Sequence, residues 1–436
     1  MVARSRNRAV AAYVFPGKHV RHDRARDMET RFRIVELEVE GRPDAIALSE
    51  GEGGIVLVLR RRGRLVGFVL EAARGRGRIE AEQLSKLIAR EAAQRVVAER
   101  LRESLPRAAA DERMPAVSVA ICTRNRPDRL RRCLASLAAL DPSPEVLTRA
   151  FEILVVDNAP PDDATQQVVE ASPGVRYLRE PKPGLDFARN LALREARGEI
   201  IAYVDDDVVV YRGWLAGLRE AWSENPDARG FTGLVMPLEL ETRAQVIFEQ
   251  RGGFGRGVDK RRWRRERQDN TLFPCGAGSF GAGANMAFHR ATLLELGGFD
   301  EALDTGAPLP GGGDLDIFYR VARAGHTMAY EPQFAVFHEH RRDMKSLRRQ
   351  YWTWGLAHMA FVMKSHATDP AYRGKMRRLI SWWFRDQWRR LLRSIAGRDA
   401  LPPDMVLAEL LGGVAGLFGE YGRSVRRVER IRKAHS

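Results

Sequence analysis

Gly198-Glu-Ile-Ile-Ala-Tyr-Val-Asp-Asp-Asp207 is an unbroken apolar strand signal that stops on three carboxylates. So continuous a run, Glu199–Val204, suits a strand buried on both faces, as in a mostly parallel sheet with helices on either side. Aspartate is a poor strand residue, and three in succession repel one another. Beside a buried strand such a cluster calls for a cation. Hard carboxylate oxygens select Mg2+ or Mn2+, which fill their shells with phosphate oxygens and water. Strand alternation points Asp205 and Asp207 to one side and Asp206 elsewhere. An acidic turn, or the cap of a helix expected over Tyr211–Glu220, also accommodates the three residues without a metal.

The same grammar extends outward. Val117-Ser-Val-Ala-Ile-Cys122, Phe151-Glu-Ile-Leu-Val-Val156 and Val175-Arg-Tyr-Leu178 read as further strands, and Asp128–Leu140 and Asp186–Arg197 as helices. Strands alternating with helices predict an α/β, Rossmann-like, mostly parallel sheet. Ligands of such sheets bind outside the carboxyl ends of the strands. Those ends carry Thr123-Arg124-Asn125-Arg126-Pro127, Asp157-Asn158-Ala159 and Asp205-Asp206-Asp207. Further on, Pro310-Gly-Gly-Gly-Asp-Leu-Asp-Ile-Phe-Tyr-Arg320 sets two carboxylates after a flexible loop, at the start of a helix over Leu315–Ala324. Asp314 there is either a helix cap or a general base delivered to a substrate hydroxyl.

Two nucleotide signatures fail. No G-x-x-x-x-G-K-[ST] is present, so a P-loop triphosphatase is unsupported, and a metal without that lysine suits a diphosphate leaving group. Gly276-Ala-Gly-Ser-Phe-Gly281 satisfies G-x-G-x-x-G, but Pro274 precedes it and the extended-looking Ala284–Phe288 follows. Those glycines read as sites of close backbone approach to a ligand.

The 436 residues are 44% hydrophobic and 30% charged, enough for packed cores in two or three domains. Three cysteines, Cys122, Cys133 and Cys275, exclude a disulfide scaffold and suit a reducing compartment. The net charge is +15, and residues 341–436 alone hold 21 Lys or Arg against 8 Asp or Glu. No apolar run approaches the ~20 residues of a membrane span. Ala9–Phe15 runs into Pro16-Gly17-Lys18, a poor signal peptide. The expectation is a cytoplasmic protein, peripheral at most on the inner face of a membrane. Its parts are a basic arm (1–31), a small α+β module (32–110), an α/β domain (115–340) and a basic, Trp-rich helical extension (341–436). Within the module, Phe32–Val39, Gly54–Leu59 and Leu65–Leu70 read as strands, Arg60–Arg64 as a hairpin turn and Ala81–Leu105 as a helix; Pro106–Pro115 reads as a linker. The extension either packs on the α/β domain or lies, through Met376–Arg393, on an anionic membrane surface.

Seven segments, in order, resemble the family 2 glycosyltransferases: Val119–Pro127, Val155–Asn158, Gly184–Asn190, Gly198–Asp207, Gly283–Phe288, Gly297–Asp300 and Gly312–Asp316. The resemblance covers about residues 115–340. It implies the A-type glycosyltransferase fold, a nucleotide-diphosphate sugar as donor, Mg2+ or Mn2+, and usually inversion in transfer of a hexosyl unit to an acceptor hydroxyl. It further implies that Thr123, Arg124 and Asn125 line the nucleotide pocket, with Asp206 beside them, and that Asp157 bonds the base or ribose. Arg189 and Asn190 hold the nucleotide or brace its loop. Asp205 and Asp207 form the D-x-D metal element, and Asp314 is the base, with Asp316 behind it. The family often has Glu-Asp where this chain has Gly313-Asp314. His338, in Phe337-His-Glu-His340, matches a further metal ligand of some related enzymes and is otherwise a structural histidine. Arg251–Gly257 with Lys260–Arg265 reads as a mobile basic loop over the donor. The acceptor is a carbohydrate, lipid-linked or other hydroxyl compound, and no nucleic acid is expected.

Two other classes compete. A nucleotidyltransferase on a related sheet also uses carboxylates and metal, but no glycine-rich triphosphate loop follows the first strand. A nucleic-acid binder suits the basic tail, yet has no use for three aspartates at a sheet edge.

Overall fold

The computed structural model describes residues 31–104, 113–264, 270–304, 306 and 309–435. The basic arm, apart from Arg31, and most of the Pro106–Pro115 linker lie outside the described residues.

The N-terminal module contains β1 (Arg31–Glu38), β2 (Ile46–Ala47), β3 (Glu52–Arg61), β4 (Arg64–Ala72), β5 (Arg78–Ile79) and α1 (Ala81–Ser104). Its main sheet runs β1-β3-β4, with β1 parallel to β3. The hairpin turn is tighter than the five residues expected. Arg62 and Gly63 both have positive φ, the two-residue geometry that matches strand twist, and Glu38 accepts both of their N–H groups. Leu84, Leu87 and Ala92 of α1 bury the face of the sheet carrying Ile55, Leu57 and Leu59.

The central sheet is built from β6 (Val117–Thr123), α2 (Pro127–Ala138), α3 (Pro144–Leu147), β7 (Phe151–Asn158), α4 (Ala164–Glu170), β8 (Val175–Glu180), α5 (Leu185–Glu195), β9 (Ile200–Asp205) and β10 (Val208–Val210). It continues through α6 (Trp214–Glu224), β11 (Ala228–Pro237), α7 (Arg243–Gln250), β12 (Arg261–Trp263), β13 (Asn285–His289), α8 (Arg290–Glu295), α9 (Gly313–Arg323) and β14 (Thr327–His338). Strand order is β10-β14-β11-β13-β9-β6-β7-β8, with β12 on β14. The block β9-β6-β7-β8 is wholly parallel, whereas β13 enters antiparallel to β9 and β11. The fold is thus α/β with a Rossmann-like parallel half. Alternation in β6 sends Val117, Val119 and Ile121 into one core and Ala120 into the other, which is why the strand reads as continuously apolar. From β6 the chain winds out to β8 and returns to β9 on the other side. That reversal opens a crevice at the carboxyl ends of β6 and β9.

The module docks on this domain. Gln333 in β14 exchanges two hydrogen bonds with the Leu65 backbone, at 3.0 and 2.7 Å. Buried Glu220 of α6 faces Arg64 at 2.8 Å, and Arg102 and Lys260 as well. These cations hold the Glu220 carboxyl down, at about 2 against an ordinary 4.5, despite its burial. With the folded value below the unfolded one, the stability it contributes is complete above pH 4.5 and disappears as the pH falls toward 2. Glu220→Gln removes the buried carboxylate these cations share, leaving Arg64 to Glu99, Arg102 to Glu224 and Lys260 to Glu331, and is expected to cost about 3 kcal/mol. Thermal unfolding at pH 7 and pH 3 checks this, since the gap between wild type and variant must narrow at the lower pH.

The extension folds as α10 (Met344–Thr368), α11 (Arg373–Ile395), α12 (Pro403–Leu417) and α13 (Glu420–Ala434). It packs against the rest of the molecule and buries Tyr351, Trp383 and Met405. α10 and α12 touch backbone to backbone. A Cβ at Gly355 would fall 2.0 Å from the Glu409 carbonyl oxygen, and one at Gly412 2.1 Å from that of Trp352. Trp388, Leu392 and Ile395 of α11 stay exposed. No described helix is by itself long and apolar enough to cross a membrane.

Candidate active site

A cavity of about 840 Å³ opens at the crevice between β6 and β9. One wall carries the D-x-D residues. Asp205 ends β9, Asp207 precedes β10, and pairing of Val208 with His338 brings the end of β14 alongside. Ligand atoms of Asp205, Asp207 and His338 lie within 4.8 Å of one another, and His338 Nε2 stands 3.3 Å from Asp207 Oδ1. That Asp207 oxygen is buried and has no hydrogen-bond partner. Burial and neighbouring Asp207 push the Asp205 carboxyl up to about 7, as expected of like charges gathered in a buried place. Asp206 turns aside, accepting from Thr123 Oγ1 at 2.6 Å and Arg126 Nη1 at 2.9 Å. Alternation has sorted the three carboxylates.

Behind His338 runs a relay. His338 Nδ1 is 3.1 Å from His340 Nδ1, and His340 Nε2 is 3.1 Å from Glu249 Oε2. A carboxylate accepts the Nε2–H of His340, so its Nδ1 is left to accept the Nδ1–H of His338. This pattern assigns the His338 tautomer whose Nε2 lone pair faces Asp207. Burial and His340 hold the His338 imidazole well below its ordinary value, so the ring is neutral.

The opposite wall carries Asp314. Gly312, left-handed at φ 102°, caps α9, so Asp314 enters the first turn. Its Oδ2 accepts from the Gly283 N–H at 3.0 Å and its Oδ1 from the Leu315 N–H at 2.8 Å. Beside it, Arg189 donates to Asp186 at 2.9 Å and Asp304 at 3.3 Å, and Asp304 accepts from the Gly313 N–H at 3.0 Å. A Cβ on Gly313 would meet Asp186 Oδ2 at 2.2 Å and Asp304 Oδ2 at 2.6 Å. Those two carboxylates occupy the space that a glutamate at position 313 would need.

Of the residues singled out in the sequence, Thr123, Arg124, Arg189, Asp205, Asp206, Asp207, Asp314 and His338 border the cavity. Four stand elsewhere. Asn125 is exposed at φ 56° and turns the chain from β6 into α2. Asp157 is buried and accepts from Tyr177 at 3.0 Å, while the next residue, Asn158, reaches the cavity. Asn190 exchanges hydrogen bonds with the Phe299 backbone at 3.0 and 2.8 Å, so it braces the Gly297–Asp300 loop. Asp316, 1% exposed, is clasped by Arg320 at 2.7 Å and Lys364 at 2.6 Å and does not reach the cavity.

The basic loop divides. Gly253, Phe254 and Arg256 line the cavity, but Lys260 and Arg262 pair with Glu331 of β14 and Asp227 just before β11, and Arg265 lies outside the described residues. Gly276, Gly278 and Gly281 line the cavity too, around the short 3-10 turn Ala277–Ser279. Arg126, Glu249 and His340 had not been singled out as site residues. Arg126 stood in the first strand-end motif; nothing local marks Glu249, 91 residues before His340 in the chain.

Residues 118–296 match the family model of glycosyl transferase family 2. The chain is 26% identical over 258 residues to the pre-mycofactocin glycosyltransferase of Mycobacterium tuberculosis, an overlap of 58% of this chain and 49% of that protein. It thus spans about half the length of that relative. It is 28% identical over 267 residues to the succinoglycan biosynthesis protein ExoM of Rhizobium meliloti, covering 59% of this chain and 78% of that one. Among solved structures, mannosyltransferase PcManGT from Pyrobaculum calidifontis, in complex with GDP-Man and Mn2+, aligns at 17% identity with a TM-score of 0.45, over 77% of this chain and 86% of that one. Residues 118–296 are thus the part of the chain that is similar to glycosyl transferase family 2.

Proposed function

We propose that this protein transfers a sugar from a nucleotide-diphosphate sugar to an acceptor hydroxyl, with inversion at the anomeric carbon. The observation that carries the reading is that Asp205, Asp207 and His338 face the same cavity as Asp314. The metal-ligand set fits Mn2+ or Mg2+: two carboxylates and one neutral imidazole, with a buried Asp207 oxygen otherwise unpaired. A cation bound there neutralises charge on the donor diphosphate. Arg124 and Arg126, at the same end of the cavity, attract the phosphates.

Asp314 is the base. Two backbone N–H groups orient its carboxylate, and each oxygen keeps a further lone pair for an incoming hydroxyl. As the acceptor oxygen bonds to the anomeric carbon, its proton passes to Asp314 and the bond to the diphosphate oxygen breaks. One displacement inverts the centre and releases nucleoside diphosphate. The family match over residues 118–296 and the names of the relatives support the transfer chemistry. A thermal-shift screen of nucleotide sugars with Mn2+ or Mg2+, followed by product analysis, tests the reading: nucleoside diphosphate supports it and pyrophosphate overturns it.

The relay makes its own expectation. Glu249→Gln removes the carboxylate that fixes the tautomer of His340, and through it that of His338, so Mn2+ affinity is expected to fall about tenfold. Titration followed by electron paramagnetic resonance reads this without turnover. Equal affinity would remove Glu249 from the metal site.

A further inference from the structure

The cavity does not stop at the catalytic carboxylate. Its turn leans on α10: a Cβ on Gly311 would lie 3.1 Å from the Ala357 Cβ. The same cavity continues among the C-terminal helices, bordered by Trp354 and His358 of α10, Trp383 of α11 and Glu409 of α12. Aromatic pairs mark this path. Phe254 packs at 4.9 Å on His338 and at 5.6 Å on Trp354, and the His358 ring stacks on Trp383 at 5.9 Å.

Two polar atoms in this chamber are buried with nothing to bond. They are Glu409 Oε2 and His358 Nε2. Glu409 is 3% exposed, and Arg251 Nη2, at 3.8 Å, is beyond hydrogen-bond reach of that oxygen. Folded proteins rarely leave such groups unsatisfied, so each asks for a partner. Burial pushes the Glu409 carboxyl up and the His358 imidazole down to about 4. The helices could have closed this space with apolar side chains, as they do around Tyr351 and Met405. Instead a carboxylate and an imidazole line it together with two indoles.

We propose that this chamber is the acceptor subsite and that it holds a neutral polyhydroxylated ring, such as the terminal sugar of an acceptor glycan. Its apolar face lies on Trp354 and Trp383, and its hydroxyls bond Glu409 Oε2 and His358 Nε2. An ammonium group is disfavoured by Arg251 beside Glu409, and a phosphate by Glu409 itself. The assignment rests on the glycosyltransferase reading and deepens it by naming the class of acceptor.

Saturation-transfer NMR on the full chain tests it, with methyl β-D-glucopyranoside and methyl α-D-mannopyranoside as probes. The wild type should transfer magnetisation to ring protons of at least one. Glu409→Gln and, separately, His358→Phe, which preserves the stack on Trp383, should each weaken that binding about tenfold. Circular dichroism establishes that each variant is folded, and the conclusion stands on either one that is. No transfer to either glycoside in the wild type, or undiminished binding in a folded variant, overturns the subsite. Nucleotide-sugar cleavage by the wild type is followed in parallel. Cleavage without glycoside binding sinks the subsite alone; no cleavage of any nucleotide sugar sinks the glycosyltransferase reading beneath it.

Discussion

Asp314→Asn is expected to lower the transfer rate by a factor of 10²–10⁴, the usual worth of a general base. The amide keeps the shape of the carboxylate but loses the basic oxygen, and its NH2 must face the N–H of either Gly283 or Leu315. Asp314→Ala avoids that clash and should be equally slow. Initial rates of nucleoside diphosphate release, at saturating donor, give the measurement. The control is Asp316→Asn, two residues on. Asp316 is buried between Arg320 and Lys364, so its loss should appear as about 3–5 kcal/mol of lost stability. A rate within tenfold of wild type for folded Asp314→Ala would remove the base from this position.

The second large effect belongs to Asp207→Ala. Asp207 offers the D-x-D element its unpaired buried oxygen and faces His338 at 3.3 Å. Without it, two of the three protein ligands remain, and metal-dependent turnover should fall on the order of 10³-fold, in line with several kcal/mol of charge stabilisation. Calorimetric titration with nucleoside diphosphate, with and without Mn2+, separates binding from chemistry. In the wild type the metal should tighten binding sharply; in Asp207→Ala it should make little difference. Equal donor affinity with and without metal in both proteins would refute the metal assignment.

Much of this site was legible because strands report themselves. A doubly buried strand must be continuously apolar, so the polar residues that end it stand out, and alternation then divides Asp205 and Asp207 from Asp206. Legibility failed where the outcome depends on partners distant in sequence. Asp157 and Asn158 are adjacent and both polar; it is the partner from the next strand, Tyr177, that shows Asp157 turned into the protein while Asn158 reaches the cavity. Asn190 sits in a motif with Arg189, yet one helical position turns it to the Phe299 loop. Gly313 departs from the family pattern in sequence, and the reason appears only in space: Asp186 and Asp304 already crowd the place where a side chain would go. The extension held the largest surprise. Its tryptophans suited either a membrane or a core, and the structure sends Trp383 inward while Trp388 stays out.

The family match ends at residue 296, whereas Asp314 and His338 come later in the chain, and Trp383 and Glu409 later still. A fragment trimmed to the matched boundary would lose β14, which lies between β10 and β11 in the central sheet, together with the Asp314 carboxylate and the His338 imidazole. Truncation scans that stop between 340 and 400 would keep those residues and remove the helix that carries Glu409, so that the far side of the reaction vessel goes while the D-x-D wall stays.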